Sequence, residues 1–280
     1  MKNIGIVGAG QMGSGIAQVC AAAGLEVILS DVSEGAWEQA RSAISRNLER
    51  QVQAGKIVVP DAAATVQRIS FSATLRTFSG CDCVIEAATE NENVKEEILT
   101  SLEAIIRPDA VLATNTSSVS ITSLGAALKR PGRFIGMHFF NPVPAMMLVE
   151  VIRGMRTDDA TFASAVRLAE HLGKHPVGVK NSPGFVVNRI LIPMINEAIL
   201  VLQEGLSTAG DIDDGMKLGA NHPIGPLALA DLIGLDTVLA IMNVLHKESG
   251  DQKYRPALLL REMVAAGVLG RKSGRGFHGY

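Results

Sequence analysis

Short apolar runs alternate with amphipathic stretches through roughly the first two thirds of the chain. Residues 3–7 read as a buried strand, 12–24 as an Ala-rich helix and 26–29 as the next strand. A long charged amphipathic helix is predicted over 33–53 and a shorter one over 61–67. Strand-like runs recur at 68–71, 83–87, 110–114 and 133–138, and helices at 93–106 and 121–128 separate the later ones. Residues 148–152 add an expected edge strand, and 161–172 reads as a helix. Strands alternating with helices predict an α/β fold with a parallel sheet covered on both faces.

The pattern changes after Lys180. Asn181-Ser182-Pro183-Gly184 is a cluster of helix and strand breakers. Beyond it the periodicity is helical almost throughout, with helices expected at 187–204, 209–218, 226–232, 235–248 and 256–266. A domain boundary is therefore expected near Ser182, giving domains over 1–182 and 183–280.

The turn between the first strand and the first helix carries specific chemistry. Gly8-Ala9-Gly10-Gln11-Met12-Gly13 follows a strand and opens a helix. The first glycine allows the tight turn, the second lets the backbone approach a pyrophosphate, and the third lets helix and strand pack closely. The helix amino end then offers N–H groups and a positive dipole to phosphates. Asp31 ends the second strand, roughly 20 residues further on, where an acid bonds the adenine ribose hydroxyls. A carboxylate there repels a 2′-phosphate, so the expected cofactor is NAD rather than NADP. The expected architecture is a Rossmann-type doubly wound sheet followed by an all-α C-terminal domain. The plainer alternative is a tight turn with a surface Asp at a helix start.

Two strands place ionisable groups among apolar neighbours. His138 ends the run Phe134-Ile135-Gly136-Met137-His138, and Glu150 lies inside Leu148-Val149-Glu150-Val151-Ile152. A carboxylate on such a strand is costly to bury unless paired. His138 is the nearest partner, and a Glu that holds a His makes a proton-transfer dyad. Separately, each could be ordinary: a core His bonded to backbone, and a strand Glu facing water. Asn115-Thr116-Ser117-Ser118 follows another strand, at the end of the sheet where ligands bind. Ser117 is a candidate substrate contact, although Ser118 or Ser120 could simply cap a helix. Asn188 opens the first long helix of the second domain, near the expected interdomain crevice, or serves as a cap there. Arg50 and Lys56 lie after the second strand, where solvated charge is the ordinary outcome.

Composition narrows the field. The chain of 280 residues is 47% hydrophobic, with a net charge of −2 and 4% aromatic residues. No basic run or aromatic platform points to nucleic acid. The longest apolar stretch, residues 185–202, carries Asn188, Arg189, Asn196 and Glu197, which argues against a membrane span. The 3 cysteines make no disulfide framework. Cys81 and Cys83 flank Asp82 without a second pair at zinc spacing, so no metal site is expected. A reduced, cytoplasmic setting is expected, and no secretory signal pattern stands out at the start.

Longer motifs add a resemblance. The chain resembles the L-3-hydroxyacyl-CoA dehydrogenase family over essentially its whole length, and within it the bacterial 3-hydroxybutyryl-CoA dehydrogenases. The motifs are Gly8 to Gly13, Val84-Ile85-Glu86-Ala87, Thr114-Asn115-Thr116-Ser117-Ser118, His138-Phe139-Phe140-Asn141-Pro142, Pro183-Gly184-Phe185-Val186-Val187-Asn188-Arg189, Met216-Lys217-Leu218-Gly219, Gly225-Pro226 and Gly270-Arg271-Lys272-Ser273-Gly274-Arg275-Gly276-Phe277. The resemblance implies that His138 is the base, Glu150 its orienting partner, and Ser117 and Asn188 the holders of the substrate oxygen. It implies that Gly8, Gly10, Gln11, Met12, Gly13, Asp31, Glu90, Lys95 and Asn115 meet NAD. Arg50 and Lys56 fall where the family uses basic residues for coenzyme A, so an acyl-coenzyme A substrate and a homodimer formed through the helical domain are implied. Gln53 and Ala54 depart from the family's lysines there, and Met147 stands where the family usually has Lys. A dehydrogenase of hydroxy or sugar acids lacking coenzyme A, and a non-catalytic cofactor-binding protein, are the alternatives.

Overall fold

The structure, a computed structural model, describes residues 1–280, the side chain of Glu34 excepted. Contacts divide them into two compact units, Met1–Ser182 and Pro183–Tyr280. The first unit is built on one sheet of eight strands: β1 (Asn3–Val7), β2 (Glu26–Ser30), β3 (Ile69–Ser72), β4 (Cys83–Glu86), β5 (Val111–Thr114), β6 (Phe134–Phe139), β7 (Leu148–Arg153) and β8 (His175–Lys180). Their order is β3-β2-β1-β4-β5-β6-β7-β8. The six strands from β3 to β6 run parallel, so the chain leaves β1 in one direction and β4 in the other. The carboxyl ends of β1 and β4 thus flank the topological switch point, where ligands bind in such sheets.

The far end departs from the sequence reading in two ways. β7 runs antiparallel to β6, because only a short turn joins them and a parallel return needs a long crossover. And β7 is not the edge: β8 pairs with it in parallel along its whole length. Pro176 and Gly178 hid β8 in the sequence, since both are poor strand residues, and both are tolerated on an edge.

The helices α1 (Gln11–Ala22), α2 (Glu34–Gln53), α3 (Val59–Gln67), α4 (Glu92–Ile105), α5 (Ile121–Ala126) and α6 (Asp159–His171) cover the sheet. Period-2 alternation divides the strands between two apolar layers. Ile4, Ile6, Val27, Leu29, Ile85 and Met137 belong to a cluster that includes Ile16 and Ala17 of α1, Ile44 of α2 and Leu168 of α6. On the other face Gly5 leaves room for Phe78, whose ring would lie 2.7 Å from a Cβ at that position. The strands are buried on both faces, which explains why β1, β4 and β5 read as continuous apolar runs.

The second unit holds α7 (Val187–Gln203), α8 (Ala209–Ala220), α9 (Pro226–Ile233), α10 (Leu235–Ser249) and α11 (Leu258–Ala265). Its core gathers Ile192, Ile195 and Ile199 of α7 with Leu227, Val238, Met242, Leu245 and Leu260. Asp213 and Asp231 are buried here, and both are paired. Asp213 accepts the first backbone N–H groups of α9 from Leu227 and Ala228, at 2.8 and 3.0 Å, and so caps that helix. Asp231 accepts the N–H groups of Phe277 and His278, both at 2.9 Å, which fastens the chain's last residues.

Candidate active site

The glycine turn after β1 has the shape of a phosphate cradle. Gly8 has φ of +99°, and a Cβ there would lie 2.5 Å from the Ala87 carbonyl oxygen. A Cβ at Gly13 would lie 1.7 Å from the Gly8 carbonyl oxygen, so only glycine lets α1 start this close to β1. A Cβ at Gly10 meets nothing within 4 Å, because that side is open. Gly10 is the N-cap of α1, no side chain caps the helix, and its first turn, starting with Gln11 and Met12, has no acid. The amino end is thus open to an anion, and the residues present fit a dinucleotide pyrophosphate. Asp31 follows β2; its carboxylate accepts the Ala9 N–H at 2.8 Å and the Ser33 N–H at 3.0 Å, tying the turn to the end of β2.

A polar network lies at the carboxyl ends of β4 and β5. Glu86, the last residue of β4, is fully buried, and its Oε2 accepts from Lys95 Nζ at 2.7 Å and Thr114 Oγ1 at 2.6 Å. Lys95 points inward from α4 and is only 1% exposed. Glu90 is more open. Its Oε1 accepts the Ser117 N–H at 2.9 Å and the Ser117 hydroxyl at 3.1 Å, while its Oε2 accepts from Thr116 Oγ1 at 2.7 Å. Asn115 turns to the next strand, its Oδ1 accepting the Phe139 N–H at 2.8 Å. That bond ties the loop after β5 to the end of β6, beside His138.

His138 and Glu150 face each other directly across the antiparallel β6–β7 ladder. Nδ1 of His138 lies 2.8 Å from Oε2 of Glu150, with Glu150 fully buried and His138 nearly so. An ionised carboxylate can only accept, so Nδ1 carries the proton and Nε2 is the ring's acceptor nitrogen. The Phe140 ring packs against the imidazole with centroids 4.5 Å apart and helps fix its plane. The loop beyond is also anchored: Lys174 Nζ donates to the carbonyl oxygens of Val143 and Met146 at 2.7 and 2.8 Å. Burial holds the Lys174 ammonium below the ordinary lysine pKa.

The first unit thus brings together the glycine turn, Asp31, Glu90, Lys95, Asn115 and Ser117 through hydrogen bonds along the strand ends, with His138 and Glu150 following on β6 and β7. A groove of about 670 Å³ runs from Gln11 and Ser14 of α1 past Arg46 and Asn47 of α2 to Asn141 and Pro144. Arg50 stands on the last turn of α2 and Lys56 follows that helix; both are exposed and neither lines this groove. Asn188 is half-buried on the first turn of α7 in the second unit. Sequence reading passed over Glu86, Arg46 and Lys174. Glu86 gave the same signal as Glu150, a lone acid in an apolar strand; Arg46 and Lys174 look like ordinary surface cations. Among the described residues no group of three or more His, Cys, Asp or Glu side chains is arranged to hold a metal ion.

A glycine cradle at the switch point of a doubly wound sheet, with a buried His–Glu pair on neighbouring strands, defines a dinucleotide-dependent dehydrogenase class of fold and site. Comparison with known proteins sharpens this. Residues 3–182 match the 3-hydroxyacyl-CoA dehydrogenase NAD-binding domain, and residues 184–280 match the 3-hydroxyacyl-CoA dehydrogenase C-terminal domain. The chain belongs to the 3-hydroxyacyl-CoA dehydrogenase family, and its cofactor is NAD. It is 52% identical over 277 residues, 99% of either chain, to a probable 3-hydroxybutyryl-CoA dehydrogenase of Deinococcus radiodurans. It is also 52% identical over 282 residues to a 3-hydroxybutyryl-CoA dehydrogenase of Bradyrhizobium diazoefficiens, covering 100% of this chain and 96% of that one. Among solved structures, an (S)-3-hydroxybutyryl-CoA dehydrogenase of Ralstonia eutropha superposes with a TM-score of 0.97 at 55% identity, covering 100% of this chain and 99% of that one.

Proposed function

We propose that this enzyme interconverts L-3-hydroxyacyl-CoA and 3-oxoacyl-CoA with NAD, and that its pair is the short-chain one, 3-hydroxybutyryl-CoA and acetoacetyl-CoA. The observation that carries the chemistry is the buried His138–Glu150 contact of 2.8 Å beside the strand ends that form the cofactor cradle. NAD, held by the glycine turn and Asp31, would supply the hydride acceptor for oxidation and the hydride donor for reduction. Nε2 of His138 takes the hydroxyl proton in oxidation and returns it in reduction. Glu150 holds the tautomer that leaves Nε2 basic and offsets the charge of the imidazolium as it forms. Ser117 and Asn188 hold the reacting oxygen, and Asn115 fixes the strand end on which His138 sits.

The groove between α1, α2 and the Asn141–Pro144 loop suits the long arm of coenzyme A. Arg46 offers it charge, and Arg50, on the last turn of α2, and Lys56, just beyond that helix, serve the phosphates. With Gln53 and Ala54 in place of lysines, these three cations carry the contact. A homodimer through the helical unit is supported by its exposed apolar side chains, among them Ile190, Leu206, Leu218 and Leu232. A cytoplasmic setting accords with three free thiols.

Steady-state rates with NADH test the reading. Acetoacetyl-CoA is expected to show the highest kcat/KM in a series of 3-oxoacyl-CoA chain lengths. Free acetoacetate, lacking the remote binding energy of coenzyme A, is expected to fall behind by at least about 100-fold. Preference for a free hydroxy or oxo acid would overturn it.

A further inference from the structure

We propose that Glu86 is a positioning residue for the reaction, acting through Lys95 and Glu90 on the hydroxyl of Ser117. The proposal rests on the role given to Ser117 above. Glu86 and Lys95 form an ion pair that is almost wholly out of water, at 0% and 1% side-chain exposure. Such a pair is expensive to bury, and two apolar residues of similar volume would serve stability as well or better. What the charged pair does here is organise its neighbours.

The Glu86 carboxylate takes three donors from three segments. Oε1 accepts the Ala88 N–H at 2.8 Å, and Oε2 accepts from Lys95 of α4 and Thr114 of β5. It therefore fixes the spacing between the ends of β4 and β5 and the start of α4. Lys95, held by Glu86, stands 3.7 Å from Oε2 of Glu90, within the range of an ion pair but too far for a hydrogen bond. That separation leaves Glu90 free to accept both the N–H and the hydroxyl of Ser117, together with Thr116 Oγ1. Two carboxylates thus share one ammonium, and the nearer one decides where it sits.

Without the charge of Glu86, the buried ammonium has one anion left within reach. Lys95 would close on Glu90, pull its carboxylate inward and turn it from Ser117. The consequence is a misplaced Ser117 hydroxyl with the dyad itself intact. Gln at position 86 keeps an acceptor for Ala88, which packs against Gly8, so the cofactor turn stays in place.

A double-mutant cycle tests this. At saturating NADH, which takes up any change in cofactor affinity through Lys95 or Glu90, Glu86→Gln is expected to lower kcat about tenfold. In a Ser117→Ala background the same change is expected to cost less than about twofold, because its target is gone. If Glu86→Gln folds poorly, Glu86→Asp, which keeps the charge but draws it back from Lys95, replaces it in the cycle. Adding Lys95→Met to either variant removes the ammonium that pulls on Glu90, so kcat is expected to recover at least about threefold. A double variant as slow as the single one would overturn the relay through Lys95. Losses that multiply in a slow Ser117→Ala enzyme would overturn the relay alone. Full kcat in Ser117→Ala by itself would overturn the role of Ser117, and the relay with it.

Discussion

Glu150 lies directly opposite His138 in the β6–β7 ladder, with Oε2 2.8 Å from Nδ1. Antiparallel pairing sets this relationship before any side chain turns, so the imidazole has one strongly preferred orientation. Glu150→Gln keeps the shape but can present an N–H to Nδ1, which favours the tautomer that protonates Nε2. The kcat of Glu150→Gln is expected to fall by about 10²-fold, with little change in the KM of acetoacetyl-CoA. Steady-state kinetics check it; a rate within a few fold of wild type would show that the carboxylate does not set the tautomer.

Asp31 is already bonded to Ala9 and Ser33, so its carboxylate is fixed at the end of β2. It can take ribose hydroxyls and would repel a 2′-phosphate. No Arg follows within the next few residues; Val32, Ser33, Glu34 and Gly35 come instead. The kcat/KM for NADH is expected to exceed that for NADPH by at least about tenfold, or roughly 1.4 kcal/mol. Asp31→Ser should shrink the ratio mainly by weakening NADH. A wild-type preference for NADPH would place Asp31 away from the ribose.

How much of this was legible in the sequence depends on how far apart the partners lie. Ile4 and Ile6, or Ile85 with Val84, announce buried strands by themselves. His138 and Glu150 are close in the chain and sit on adjacent apolar runs, so their meeting can be inferred from one turn. Glu90 and Ser117 are 27 residues apart on different elements, and only the order of β4 and β5 brings them together. Lys95 stands on a charged helix, and its burial beside Glu86 is a tertiary fact. β8 was hidden by Pro176 and Gly178, which an edge strand tolerates.

The three thiols are free and buried. Burial pushes Cys20 up to about 12 and Cys81 up to about 11, the latter helped by Asp82 and opposed by Arg107. Cys83 is raised as well, again chiefly by burial. The reactive thiolate is therefore scarce at pH 8. A disulfide-exchange reagent is expected to label the native protein slowly and all three thiols at once in denaturant. Fast stoichiometric labelling of native protein would contradict the closed packing around β1 and β4.

Asp82 fastens the start of β1. Burial pushes its carboxyl up, but the N–H groups of Lys2 and Asn3, at 2.6 and 3.1 Å, and Arg107 outweigh that and hold it below the ordinary carboxylate range. A lowered folded-state pKa contributes stability above the unfolded value of about 3.9, and that contribution disappears as pH falls through the folded value. Asp82→Asn is thus expected to lower Tm at pH 7, with the difference from wild type closing below about pH 4. A Tm difference that stays constant across this range would assign the loss to packing instead.

The most direct measurement is the rate of acetoacetyl-CoA reduction by NADH in wild type and His138→Gln, with the Kd of NADH determined for both. If Nε2 of His138 delivers the proton, kcat falls by roughly 10²–10⁴ while NADH binds as before. A His138→Gln enzyme that keeps near wild-type kcat would contradict the dyad as the source of the chemistry.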